Sequence, residues 1–393
     1  MIKEFLIKEK IEFKDDPKTL QTASRDWSFV SPVLSKIPRR EVELVIYPKS
    51  EEEVVKVVEK ALEEHIPLIP RGGGYGTVGG LIPIRGGIIV DMTMMNSISE
   101  DDEFIYADAG AKFSGNFRVY PTIWQKATVG GYFCGGSWGI GSYEYGTNWD
   151  QVVEVRMVDP RGKIVTLRGG DIKIAAHAEG TTGIVTKLKI LRKPEREEVA
   201  KIIQFDSLTQ AAKFIGKMYD EAFPAYHMTL RSPQMAKITE KLTGFSTDKW
   251  HLLVVYDRSL GEIEGQNGSV LWNKRHLFFA GVYVNTYMAK GGGVYYSQYH
   301  IPIEEFEEKV TKVIEFNPII EAELANDRKA HTYFLFYDED KFYTINRILG
   351  VSSFNLHSIS INGRLQAEHL QRIKWYKRAY DKEDLFNPGK VEF

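Results

Sequence analysis

The segment Gly72-Gly-Gly-Tyr-Gly-Thr-Val-Gly-Gly80 sets six glycines in nine residues directly behind Arg71 and the short apolar run 66–70. Glycine alone combines free access to φ > 0 with unobstructed approach of the backbone. Successive bare N–H groups in such a loop make an anion-binding concavity. The segment therefore predicts contact with a phosphorylated ligand rather than a set of tight turns. Gly74, Gly76 and Gly79 also make a formal GxGxxG. A nicotinamide-type fingerprint, however, requires the glycines to open a helix. Here Pro83 and Gly86-Gly87 follow and lead into the apolar run 88–90. Upstream, Ser50 and Glu53 form a capping box, and Val54, Val55, Val58, Ala61 and Leu62 repeat on one face until Pro67. The order is helix, strand, glycine loop, strand.

A chain of 393 residues exceeds a single core, so two domains are expected. A net charge of -2 argues against a dedicated nucleic-acid binder. With one cysteine, Cys134, the chain closes no internal disulfide and holds no cysteine-ligated iron–sulfur cluster by itself. Nowhere do 18 apolar residues run together, which predicts a cytoplasmic protein, at most peripheral to a membrane.

The first half is rich in glycine and in short strand-like runs at 66–70, 87–91, 104–109, 152–158, 163–167 and 184–191. Beyond Lys193-Pro194 glycine thins, and a second α/β domain is predicted, with helices over 208–222 and 303–316 and strands over 250–256, 277–287 and 332–337. A last helix over 367–380 runs into Asn387-Pro-Gly-Lys390.

Three further glycine clusters carry Ser or Thr hydroxyls: Thr128-Val-Gly-Gly131, Gly135-Gly-Ser-Trp-Gly-Ile-Gly-Ser142 and Glu179-Gly-Thr-Thr-Gly-Ile-Val-Thr186. Together with Val45-Ile-Tyr-Pro-Lys-Ser50, Pro70-Arg-Gly-Gly-Gly74, Asp91-Met-Thr-Met-Met-Asn-Ser-Ile98, Ala109-Gly-Ala111, Tyr145-Gly-Thr-Asn-Trp-Asp150 and Leu385-Phe-Asn-Pro-Gly-Lys390, this ordered set resembles the FAD-linked oxidase family. That is the superfamily of vanillyl-alcohol oxidase and p-cresol methylhydroxylase, and the nearest branch looks like the D-lactate or glycolate dehydrogenase flavoproteins. The resemblance implies an α+β fold. Residues 1–193 would form a two-subdomain FAD-binding domain, 194–366 a cap with an antiparallel sheet, and 367–393 a helix and tail returning to the first domain.

It also implies that Arg71, Gly72, Gly73, Gly74, Tyr75 and Gly76 hold the pyrophosphate of FAD. Thr128, Gly130, Gly131, Gly139, Gly141 and Ser142 would line the FAD channel, and Gly180, Thr181, Gly183, Ile184 and Val185 would wrap the adenine or flavin. Covalent members often place a His in the first glycine loop, where this chain has Tyr75, so FAD should be bound noncovalently. The segment between Ala111 and Tyr120 is too short for the family's usual helix. The nine His residues are scattered in sequence, with no HExxH, and no catalytic metal is expected.

Catalytic candidates should come from the inner face of the cap. His227 and Arg231 share one face of an alternating strand, Asn355 and His357 share another, and Tyr283 and Tyr287 alternate along the expected strand 277–287. Trp272-Asn273 with His276 is similar to a Trp-Asn-His pattern of the D-lactate dehydrogenase branch, interrupted by Lys274-Arg275. A His or Tyr can serve in proton transfer and an Arg can clamp a carboxylate; His357 and Arg231 lead. The resemblance thus implies a dehydrogenase or oxidase passing a hydride from a small hydroxy compound, such as D-lactate or glycolate, to flavin. Electrons would go on to a quinone, cytochrome, oxygen or partner subunit. A sugar-lactone or polyol oxidase, and a noncatalytic FAD-binding subunit of a larger complex, are the alternatives.

Overall fold

The computed structural model describes residues 1–350, 352 and 354–393. The strands Val42–Ile46, Gly87–Asp91 and Leu68–Arg71 lie side by side in parallel, and Phe13–Lys14 adds an antiparallel edge. The helix Glu51–Glu63 crosses over this sheet. Ser50 caps its start as predicted, Ser50 Oγ accepting the Glu53 N–H at 3.2 Å, while the Glu53 carboxylate turns back to accept the Lys49 N–H, one residue before the N-cap, at 2.8 Å. Val54, Val57, Val58 and Ala61 bury one face of that helix against Leu44, Ile46, Leu68, Ile88 and Val90. The glycine loop consequently leaves the carboxyl end of a parallel strand, where open α/β sheets bind ligands.

The four remaining runs of the first half fall in a second, antiparallel sheet. Its order is Ile98–Glu100, Phe104–Asp108, Ile184–Leu191, Val152–Val158, Ile164–Arg168. The third sheet is antiparallel and seven-stranded. It runs Gln266–Asn267, Glu198–Phe205, Trp250–Asp257, Ala225–Arg231, Ile319–Leu324, Lys329–Phe336, Tyr295–Pro302. One face packs on the helices Leu208–Asp220, Phe306–Thr311 and Glu339–Leu349. The other carries Tyr226, Leu253, Val255, Tyr296, Tyr333 and Leu335 into a separate core.

Two expectations for the second half are corrected. Residues 277–287 are not a strand: the helix Ala280–Lys290 occupies most of them. Val282, Tyr283 and Thr286 are fully buried, a spacing that fits one face of a helix lying over the sheet and not the two-residue repeat of a strand. The expected helix 303–316 is interrupted, with a regular turn only over Phe306–Thr311 and 3-10 turns on either side. The strand Ile319–Leu324 was not among the expected strands; its Glu321 and Glu323 are both buried.

The final helix Ala367–Tyr380 forms as expected. Behind it the chain adds itself to the first sheet, Leu68 N–H donating to Leu385 O and Asn387 N–H to Leu68 O, each at 2.8 Å.

Candidate functional site

A cavity lies where the glycine loops face the seven-stranded sheet. One end is backbone. The N–H groups of Gly73, Gly74, Tyr75 and Gly76 donate to no protein acceptor among the described residues. The Arg71 guanidinium shapes this loop, donating to Ala23 O at 3.1 Å and Gly72 O at 2.7 Å and pairing with Asp91 at 3.3 Å. The glycines have two different reasons to be glycine. A Cβ on Gly72 would stand 2.3 Å from Thr128 Oγ1, and one on Gly130 2.6 Å from Ala109 Cβ, so these two let the loops touch. A Cβ on Gly76 or Gly135 would meet nothing within 4 Å and would project into free space.

Of the residues expected at a cofactor, Arg71, Gly72, Gly73, Gly74, Tyr75, Gly76, Thr128, Gly130, Gly131, Gly180, Gly183 and Val185 line the cavity. The structure sets Gly139, Gly141, Ser142, Thr181 and Ile184 behind that wall. Ser142 Oγ accepts the Gly139 N–H at 2.9 Å, and Gly141, at φ +92°, lies against Arg118 O and the Tyr226 ring. Thr181 Oγ1 donates to Ala178 O at 2.7 Å, and Ile184 is core.

The opposite end is built from side chains that sequence reading missed. Tyr296 and Gln298 project from the strand Tyr295–Pro302 and Tyr333 from its neighbour, joined by Phe279, Phe354, Leu356 and Trp138. No motif marks them. Cross-strand register assembles the wall: Gln298 opposes Tyr333, Tyr333 opposes Glu321, and Glu321 opposes Arg231. Burial holds the Tyr296 and Tyr333 phenols protonated, well above their usual range.

Two carboxylates, Asp26 and Glu179, also reach the wall. Glu179 is held 2.8 Å from the buried Arg364, and burial pushes its pKa up. Behind them Lys390 Nζ donates to Gly79 O and Ile82 O at 2.6 and 3.0 Å, and burial lowers it to about 8. Cys134 lines the cavity with its thiol pushed up to about 12 by burial, so it stays a protonated, poor nucleophile.

None of the five catalytic candidates lines the cavity. His357 stands one layer back, with Nδ1 2.7 Å from Ser31 Oγ and Nε2 accepting the Tyr296 N–H at 3.0 Å; burial lowers it to about 4. Asn355 is exposed and its Oδ1 accepts the His357 N–H at 3.0 Å. The Tyr283 ring packs on Tyr296 at 4.4 Å. Arg231 and His227 share the inner face of the sheet as expected, but both are buried. Arg231 Nε lies 2.9 Å from Glu321, and His227 Nε2 lies 2.7 Å from Thr229 Oγ1. The sheet also gathers histidines that are far apart in sequence: His331 touches His300 at 4.1 Å and Trp138 at 4.2 Å between ring centres. Among the described residues no three His, Cys, Asp or Glu are arranged to hold a metal.

Residues 42–168 match the family described as FAD binding domain. The match takes in the parallel sheet and the first two glycine clusters. The chain is 26% identical over 243 residues to a D-lactate dehydrogenase of Archaeoglobus fulgidus, covering 54% of each chain. It is 23% identical to the mitochondrial D-lactate dehydrogenase (cytochrome) of Arabidopsis thaliana, covering 89% of this chain and 73% of that one. It is 27% identical to a glycolate oxidase subunit of Bacillus subtilis over 44% of this chain and 41% of that one. The chain spans about half the length of the first two curated relatives it matches, 54% and 49%.

Among solved structures, alkyldihydroxyacetonephosphate synthase superposes with a TM-score of 0.72 at 17% identity, covering 96% of this chain and 83% of that one. p-Cresol methylhydroxylase superposes with a TM-score of 0.69 at 14% identity, covering 96% and 93%. The fold is thus that of the p-cresol methylhydroxylase type. The cofactor is FAD, and the residues present fit it. Consecutive undonated N–H groups suit a diphosphate, and Gly76 and Gly135 keep clear the space that side chains would fill. No helix among the described residues is long and apolar enough to cross a membrane.

Proposed function

We propose that this protein is an FAD-dependent oxidoreductase acting on the CH–OH group of a small 2-hydroxy acid such as D-lactate or glycolate. One observation carries the reading: a single cavity joins the glycine loops of the FAD binding domain to the polar and aromatic wall formed by Tyr296, Gln298 and Tyr333. The relatives named D-lactate dehydrogenase and glycolate oxidase subunit support the substrate class. In this reading residues 1–193 bind the cofactor, 194–366 cap the substrate, and 367–393 lock the tail onto the first part.

When bound, FAD supplies the hydride acceptor. The chain supplies orientation. Gln298 Nε2 and the neutral phenols of Tyr296 and Tyr333 offer donors to a carboxylate or hydroxyl oxygen, and Phe279, Phe354 and Trp138 exclude water around it. His357 acts through Tyr296, whose backbone it holds, and Arg231 and His227 act through the sheet behind Tyr333; all three are positioning residues here. FAD is held noncovalently, since Tyr75 replaces a tethering His and Cys134 is a protonated thiol. The electrons would go on to an external acceptor, a quinone, cytochrome, oxygen or partner subunit.

Anaerobic mixing of the FAD-loaded protein with D-lactate, glycolate, polyols and aldonolactones tests this. Bleaching by hydroxy acids alone is the expected result. Bleaching only by lactones or polyols moves the substrate class, and no bleaching by any of them leaves a noncatalytic FAD-binding role.

A further inference from the structure

Phe279 adopts φ 49° and ψ −130°, a backbone conformation that side chains other than glycine rarely hold, immediately before the helix Ala280–Lys290. Such an outlier persists only where its surroundings over-determine it. The restraint is visible: the Phe279 N–H donates to Glu321 Oε1 at 2.8 Å, in the protein interior. Glu321 Oε2 lies 2.9 Å from Arg231 Nε, and the Arg231 guanidinium covers the Phe278 ring at 4.9 Å. Glu321 also sits directly opposite Tyr333 across the sheet. Phe279 and Tyr333 both line the cavity, whereas Glu321 does not.

The network continues along the inner face of the sheet. His227 Nε2 lies 2.7 Å from Thr229 Oγ1, which donates to Glu323 Oε2 at 2.5 Å, two residues along the strand from Glu321. Burial pushes the Glu323 carboxyl well up, and the neighbouring Glu321 adds to that shift, so Glu321 is the carboxyl that faces the Arg231 guanidinium. An ion pair placed there adds little stability compared with apolar residues of similar size. What it does supply is a directed acceptor at a fixed point, aimed at a strained backbone N–H.

We propose that Glu321 is a positioning residue for the substrate end of the cavity: by holding Phe279 in its strained conformation beside Tyr333, it sets the size of hydroxy-acid side chain that the cavity admits. The inference rests on the function proposed above. Burial pushes the Glu321 carboxyl up and Arg231 opposes that shift, standing at Oε2 while Oε1 accepts the Phe279 N–H.

The test compares the wild type with the double variant Glu321→Leu/Arg231→Met, which removes both charges together. Thermal unfolding and flavin content are measured first, then rates of anaerobic flavin reduction by glycolate, D-lactate and D-2-hydroxyacids with longer side chains. The double variant is expected to keep its FAD and to lose discrimination between the smallest and the bulkiest acid by about tenfold, the scale on which apolar pockets sort side chains. Glu321→Gln keeps an acceptor for the Phe279 N–H and is expected to retain wild-type discrimination. It carries the comparison, against Phe279→Ala, should the double variant not fold. An unchanged rate ratio in an FAD-loaded double variant, or in Phe279→Ala, overturns the proposal. If no hydroxy acid reduces the wild-type flavin, the proposed function fails separately. The wall is then read by titrating oxalate and benzoate against the flavin spectrum. A change in their relative affinity in the same variants supports the positioning role, and an unchanged ratio overturns it.

Discussion

Lys390 Nζ donates to the Gly79 carbonyl at 2.6 Å, so the chain's tail is pinned to the end of the glycine loop by a buried cation. Asn387 Nδ2 adds donors to Gly80 O at 2.9 Å and Glu179 O at 2.6 Å, tying together two of the loops that line the cavity. Replacing Lys390 by Met leaves the Gly79 and Ile82 carbonyls without this donor. The variant is expected to lose about 2–3 kcal/mol of stability and to bind FAD more weakly. Urea unfolding and a fluorescence titration with FAD check this; wild-type values for both show that the tail does not hold the loop.

Gly76→Val separates cofactor binding from folding. No atom lies within 4 Å of the Cβ it adds, so the apo protein is expected to unfold at the wild-type temperature while flavin absorbance is lost from the purified protein. Gly72→Val is the contrast: its Cβ collides with Thr128, and both properties should fall. A yellow, fully loaded Gly76→Val protein removes this loop from the cofactor site.

Noncovalent attachment predicts that acid precipitation releases all flavin into the supernatant. Cys134→Ala is expected to keep wild-type flavin content, because the thiol it removes is protonated and unreactive. Colour remaining in the pellet of the wild type, and leaving it in Cys134→Ala, contradicts both statements.

Acid stability follows from the buried imidazoles. Burial lowers His227 and His251 to about 3 and His357 to about 4, from an ordinary value of 6.5. The unfolded chain therefore takes up protons first as pH falls below 6.5. The contribution of these groups is fully present above that value and is lost between about 6.5 and 3. His227→Gln should reduce the slope of unfolding free energy against pH in that window by up to about 1.4 kcal/mol per pH unit. An unaltered slope means that His227 is not held neutral in the folded protein.

Much of the cofactor end was legible in the sequence. The capping box at Ser50, the loop after Arg71 and the six apolar runs each encode their structure locally, in hydrogen-bond donors, periodicity and the absence of Cβ atoms. The resemblance carried by the ordered motifs extended this to FAD. Local signals failed over 277–287, where the burial of Val282, Tyr283 and Thr286 against the sheet decides for a helix, and over Ile319–Leu324, whose glutamates look solvated until Arg231 and Thr229 are brought beside them.

The residues facing the substrate belong to the same division. By itself the sequence determined where bare N–H groups gather, because a glycine-rich stretch produces them wherever it lies. Only the tertiary structure decided that Tyr296, Gln298 and Tyr333 reach the cavity while His357, Arg231 and His227 stand behind it. That choice depends on strand order and register between segments up to about a hundred residues apart. A one-residue shift in pairing turns every side chain of a strand to the other face.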